Sequence, residues 1–230
     1  MAKDRPSGQP DKRRAIISGA LSLFARDGYT RASLDAIAAE AGVSNRTIYN
    51  HFTDKGELFQ AVIQESTQRV ADTMTDQIDR HLSKIVDLES DLTDLGLAFV
   101  SLLTSDLASH FALIRQINAE TEHIPPTALK IWQDTGPDRV KRHLASRLSV
   151  IADRGQLAID NPVRAAGHLM LLVSIENLAD RADRAALNDR TVVTTMVAAG
   201  VHVFLHGYGP ADPKTPDNHA KKTTHERRAD

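Results

Sequence analysis

Between Ser44 and His51 the chain reads Ser-Asn-Arg-Thr-Ile-Tyr-Asn-His. Apart from Ile48, every side chain in that run carries a hydrogen-bonding group, and no residue from Ser44 to Phe52 is acidic. A surface of this kind suits the approach to a polyanion. Arginine matches the paired acceptors on the major-groove edge of guanine, and asparagine the donor–acceptor pair of adenine. Arg46 and Asn45 are therefore the side chains best suited to base-edge contacts, with Ser44, Thr47, Tyr49, Asn50 and His51 around them. Lys55 opens the next predicted helix, where its charge adds to free backbone N–H groups and favours a phosphate oxygen. Thr30, Arg31 and Ser33 sit on the opposite flank. The chemistry this pattern offers is recognition of duplex DNA.

Two short helices and a tight turn must hold that surface. Ser33 is a good N-cap for a helix through Leu34, Ile37 and Ala38 to about Ala41. Gly42 breaks it and can take the positive φ of the turn. Ser44 then caps a second short helix ending near His51 and Phe52. Ile37, Ala41, Val43 and Ile48 fix the angle, with Ala38 small enough for a close crossing. Such a corner is what a helix-turn-helix needs to project its second helix into a major groove. A helix from Asp11 precedes it, with Ile16, Ile17, Ala20, Leu21 and Phe24 at helical spacing and a stop at Asp27-Gly28. On this pattern alone, a compact helical corner with a solvated polar face fits equally well.

The longer context separates the two. The run from Gly28 through Thr30-Arg31-Ala32-Ser33-Leu34 and Ile37 to Gly42-Val43-Ser44, continuing to Tyr49, His51-Phe52 and Lys55, resembles the N-terminal domain of the tetracycline-repressor (TetR) family. The likeness covers roughly residues 13–63 and includes Glu57-Leu58-Phe59. It implies that Ser44, Asn45, Arg46, Thr47 and Asn50 lie against base edges. It also implies that Tyr49, His51, Lys55, Thr30 and Ser33 hold phosphates, and that the protein represses transcription. More loosely, Leu113–Glu120, Gly136–Val140, Asp153–Leu157, Asp160–Pro162 and Ala165-Ala166 resemble the C-terminal region of the AefR-like subgroup. That resemblance implies a homodimer with a small-molecule pocket.

Composition agrees with a helical, non-covalently held protein. The chain has 230 residues, 41% apolar and 25% charged, with a net charge of −2. It is no overall polycation, so contact with DNA must come from a local patch. It contains no cysteine, which excludes disulfides, thiolate catalysis and cysteine-ligated metal. No nucleophile elbow, phosphate-binding glycine loop or paired zinc motif occurs, and no enzyme or cofactor is expected. The longest apolar run, around Ala165 to Ile175, is too short for a membrane span, and a cytoplasmic location is expected.

Periodicity predicts an all-α fold: a flexible arm over 1–10, the helix-turn-helix domain over 11–53, a ligand-binding and dimerisation body over 54–207, and a disordered tail over 208–230. Body helices are expected from Asp54 to about His81, over 88–102, from Ser109 to Glu122, over 127–154 with a break at Gly136-Pro137, over 161–184, and from 188 to 206. Phe99, Leu103, Phe111, Trp132 and Met170 are candidates to line an apolar cavity, with Arg115, Asn118, His168 and Asn177 as polar contacts. Ile175, Leu178, Met196, Val197, Val201, Phe204 and Leu205 are candidates for a four-helix dimer interface, or else internal core. His202 and His206 share a helical face, a spacing compatible with a metal pair but more often a packing feature. Acidic residues Asp87, Glu89, Asp91 and Asp94 read as a solvated face. A DNA-binding regulator released by a small ligand is the reading these features favour. A regulator controlled by another protein or by nothing, and a helical enzyme or storage protein, remain the alternatives.

Overall fold

A computed structural model describes residues 9–174 and 189–210. Regular structure among the described residues is entirely helical, as the sequence predicts. Three helices form the head: α1 (Gln9–Arg31), α2 (Leu34–Glu40) and α3 (Asn45–Tyr49). Gln9 and Pro10, expected in a flexible arm, already belong to α1. Gly28 interrupts α1 with a φ of 83°, the stop that Asp27-Gly28 announces. Ile16, Ala20, Leu23 and Phe24 form its inward face, against Ile37 of α2 and Ile48 of α3. Helix α3 ends at Tyr49, a turn earlier than the sequence suggests.

The body begins with α4 (Lys55–Leu82), 28 residues long and hence about 42 Å. Asp54 starts it by accepting from the Glu57 N–H at 2.8 Å, while the Glu57 carboxylate accepts from the N–H and hydroxyl of Thr53 at 2.7 Å. This reciprocal cap holds Glu57 below the usual carboxylate range, chiefly through the Thr53 N–H. Leu58, Phe59, Val62 and Ile63, in the first half of α4, complete the apolar cluster of the head. Ala71, Ile78 and Leu82, in the second half, join a separate cluster in the body. One rigid rod thus runs through both cores.

The remaining helices are α5 (Leu88–Ser101), α6 (Ala108–Ala119), α7 (Pro126–Thr135), α8 (Pro137–Asp153), α9 (Pro162–Val173) and α10 (Arg190–Tyr208). Asp87 caps α5 through the Ser90 N–H at 2.7 Å, and Asp91 accepts from the Val86 N–H at 2.8 Å. Part of the acidic cluster therefore terminates a helix. Helix α6 stops three residues short of the expected Glu122, and a 3-10 turn over Thr121–His123 follows. Pro137 opens α8 at its first turn, where its missing N–H costs nothing. The expected continuation of α9 to Arg184 lies beyond Ser174, outside the described residues.

Two expectations about the C-terminal end are corrected. Tyr208 is not the start of a tail: it ends α10, its carbonyl accepts from the Ala158 N–H at 2.7 Å, and its hydroxyl meets His168 Nδ1 at 2.8 Å. Helix α10, not the segment around Ala165, is the described helix long and apolar enough to cross a membrane by length and composition. One face of it packs into the body core instead. Val197, Val201 and Phe204 are buried there, so these candidates for a subunit interface are internal. Leu205 is partly buried against the same core, and Met196 is partly exposed. Ile175 and Leu178 lie outside the described residues. Gly200 allows the tight crossing with α9, since a Cβ there would sit 2.1 Å from the Leu172 carbonyl oxygen.

Candidate nucleic-acid interface

Local bonds position α3. Ala41 ends α2, Gly42 takes a φ of 65°, and the Val43 N–H returns to the Ala38 carbonyl at 2.9 Å. Nothing crowds Gly42, so its requirement is conformational. Ala38 is buried in the head core, and a further close approach joins α1 to the end of α2, where a Cβ on Gly19 would lie 3.0 Å from the Ala41 nitrogen. Ile48 is fully buried beneath α3 and turns the opposite face outward.

On that outward face Asn45, Arg46, Tyr49 and Asn50 are exposed, with Tyr49 at 58%. Thr47 and His51 are half-buried beside them. Ser44 is occupied as the α3 N-cap: its hydroxyl accepts from the Thr47 N–H at 3.2 Å and meets the Thr47 hydroxyl at 2.9 Å. The Asn45 amide donates to the Asp35 carboxylate of α2. Arg46, Tyr49 and Asn50 are thus the side chains most directly presented to a groove.

The flanking residues are engaged inside the protein. Ser33 caps α2 through the Ala36 N–H at 3.1 Å. Arg31 Nε donates to the Asp27 carbonyl at 2.8 Å. The Lys55 ammonium donates to the carbonyls of Tyr29, Thr30 and Ala32 at 3.0, 3.3 and 3.1 Å, and lies 4.6 Å from the Tyr29 ring centroid. It closes the C-terminal end of α1. Thr30 donates both its N–H and its hydroxyl to Glu120 at 3.0 Å. Sequence reasoning assigned no role to Glu120, the residue that ends α6. Its carboxylate also lies where a Cβ on Gly28 would be, so a side chain there would displace Glu120, while the φ of 83° is what requires glycine.

Beneath the head, α4 to α9 enclose a cavity of about 240 Å³. Phe99, Leu103, Phe111, Trp132 and Met170 line it, as expected from the sequence. The expected polar contacts do not. Arg115 and Asn118 are exposed on α6, His168 faces Tyr208, and Asn177 lies outside the described residues. The polar side chains in the wall are instead His110, Thr67 and Ser174. His110 is 6% exposed and its Nδ1 lies 3.2 Å from the Ser66 hydroxyl. Burial drives its pKa from 6.5 down to about 4, so the ring is neutral at physiological pH. A signal was available: His110, Leu113 and Ile117 recur at three- and four-residue spacing on the buried face of α6.

His202 and His206 do share a face of α10, with ring centroids 4.3 Å apart and Glu89 at 3.8 Å from His202. Among the described residues no group of three potential metal ligands forms there or elsewhere.

A helix-turn-helix head on a hollow helical body defines a class of architecture, and similarity to known proteins narrows it to one of transcriptional regulators. Residues 16–62 match the bacterial regulatory proteins of the tetR family, and residues 90–210 match the AefR-like transcriptional repressor C-terminal domain. The chain belongs to the TetR family of transcriptional regulators. Among relatives, the HTH-type transcriptional repressor Rv1474c of Mycobacterium tuberculosis is 40% identical over 60 residues, 26% of this chain and 32% of that protein. The DNA-binding transcriptional repressor TetR of Mycobacteroides abscessus is 28% identical over 156 residues, covering 64% of this chain and 70% of that one. A crystal structure of a TetR-family regulator from Mesorhizobium loti superposes with a TM-score of 0.74 at 27% identity, over 89% of this chain and all of the other. The flavonoid-responsive regulator FrrA gives a TM-score of 0.63 at 26% identity, over 87% and 98% of the two chains.

Proposed function

We propose that this regulator is a repressor that binds a pseudo-palindromic operator as a homodimer and leaves it when a small molecule fills the body cavity. One observation carries this reading: the two helices that buttress the head also wall the cavity. Helix α4 supplies Leu58, Phe59 and Val62 to the head core, and Thr67, Val70 and Met74 to the cavity. Helix α6 supplies His110, Phe111 and Ile114 to the cavity, and ends at the Glu120 carboxylate that holds Thr30. A ligand that prefers another arrangement of these helices displaces the head.

The switch is then geometric. Two heads engage successive major grooves only when about 34–36 Å apart, or a multiple of that. A ligand shifts the equilibrium by its differential affinity for the two arrangements, with couplings of about 1–3 kcal/mol typical. Phosphate contacts give salt-dependent affinity, and α3 gives sequence preference. An exposed apolar face on α9 and α10, with Leu171 64% and Val203 56% exposed, supports pairing with a second copy there.

A gel-shift titration against salt, using DNA from upstream of the protein's own gene, tests the reading. A specific shift that weakens steeply with salt is expected. Absence of any specific shift at low salt contradicts it.

A further inference from the structure

The cavity walls carry a chemical description of what they hold. Among the described residues no acidic side chain, lysine or arginine lines the cavity. The rings of Phe99, Phe111 and Trp132 face the space together with the thioethers of Met74 and Met170. Aromatic rings and thioethers favour an aromatic guest through edge and sulfur contacts. At about 240 Å³ the space is smaller than the roughly 300–1,000 Å³ of drug-sized sites, which fits one or two fused rings.

Besides the Ser174 hydroxyl the wall offers His110 and Thr67, and the hydrogen bonds of His110 have a defined sense. The Ser66 hydroxyl donates to the Ile63 carbonyl at 3.3 Å, so at its 3.2 Å contact with His110 it accepts from Nδ1–H. In a neutral imidazole that leaves Nε2 as a hydrogen-bond acceptor. Thr67 follows Ser66 on α4, is 2% exposed, and its hydroxyl has no hydrogen-bond partner among the described residues. A buried hydroxyl without a partner is costly, and it is relieved by a polar guest. A carboxylate or an ammonium group entering the same space would lose its hydration and find no counter-charge among these walls.

We propose that the effector is a small neutral aromatic molecule bearing a hydroxyl group, in its simplest form a phenol. Its hydroxyl donates to His110 Nε2 and accepts from the Thr67 hydroxyl, with the ring held among Phe99, Phe111 and Trp132. This rests on the reading of the cavity as the effector site.

Calorimetric titration of the full-length protein with four small aromatic probes tests both levels separately. The probes are 2-naphthol, naphthalene, 2-naphthoate and phenyltrimethylammonium. 2-Naphthol is expected to bind about tenfold or more tighter than either ion. Thr67→Val and His110→Phe are each expected to weaken 2-naphthol about fivefold, as for the loss of one hydrogen bond, and to leave naphthalene unchanged. Leu103→Trp, which fills the cavity, is expected to abolish binding of every probe, with melting curves verifying that each variant is folded. An ion binding as tightly as 2-naphthol, yet blocked by Leu103→Trp, overturns the ligand class and leaves the effector site standing. Equal affinity for naphthalene and 2-naphthol overturns the polar recognition. Failure of all four probes to bind, or binding that survives Leu103→Trp, overturns the effector site itself.

Discussion

Among the described residues the side chains of Arg46, Tyr49 and Asn50 form no hydrogen bond or ion pair, unlike those around them. Ser44 and Ser33 spend their hydroxyls on helix caps, and Asn45 donates to Asp35. To read adenine, Asn45 must leave that carboxylate, which sets a cost that Arg46 does not bear. In the body, His110 combines burial with a titratable ring. Unfolded, it titrates near 6.5; folded, near 4. Between those values the unfolded chain binds more protons, so stability falls as the pH is lowered through that window. The melting temperature of the wild type is expected to drop more steeply between pH 6.5 and 4 than that of His110→Gln, measured by circular dichroism in parallel buffers. Equal slopes would mean that the ring is hydrated.

Helices α4 and α6 connect the regions in which these residues act. The Glu120 carboxylate joins α6 to the loop after Gly28 through two bonds of 3.0 Å to Thr30. Bonds to a charged acceptor that is only partly buried suggest that Glu120→Ala loses about 1–2 kcal/mol of stability. The same substitution is expected to shrink the ligand-induced loss of operator affinity, read as the ratio of operator Kd with and without ligand. An unchanged ratio would place the coupling wholly in α4. The sequence made the caps and the Gly42 turn legible because those forces act within a few residues. It could not show the Glu120–Thr30 contact, which spans 90 positions, or the ammonium of Lys55 folding back on carbonyls 23 to 26 residues earlier. Phe99, Phe111 and Met170, candidates for an apolar cavity as large apolar side chains on body helices, do line it. Spacing placed no polar contact correctly among the described residues, because placing a polar group requires knowing which helix lies opposite.

At the scale of the whole molecule the exposed apolar surface carries the proposed pairing of two copies. Helix α10 is apolar around most of its circumference, so periodicity could not say which side faces in. Packing resolves it: Val197, Val201 and Phe204 close the core, while Val192 and Val203 are exposed, as is Leu171 of α9. Placing a charge on that outward face is expected to separate the subunits without unfolding them. Leu171→Glu with Val203→Glu should sediment as a monomer with a near-native melting temperature, and should lose operator affinity because a single head spans one half-site. A dimer persisting in that variant would move the interface to another face.

The proposed function depends on the outward surface of α3 touching DNA. The most direct measurement is the operator affinity of an Arg46→Ala, Tyr49→Ala double variant, followed across a salt series in protein verified to be folded and assembled like the wild type. Loss of one bidentate base contact costs about 1–3 kcal/mol, so affinity should fall by about tenfold or more, with a shallower salt slope. Wild-type affinity at every salt concentration would contradict the account.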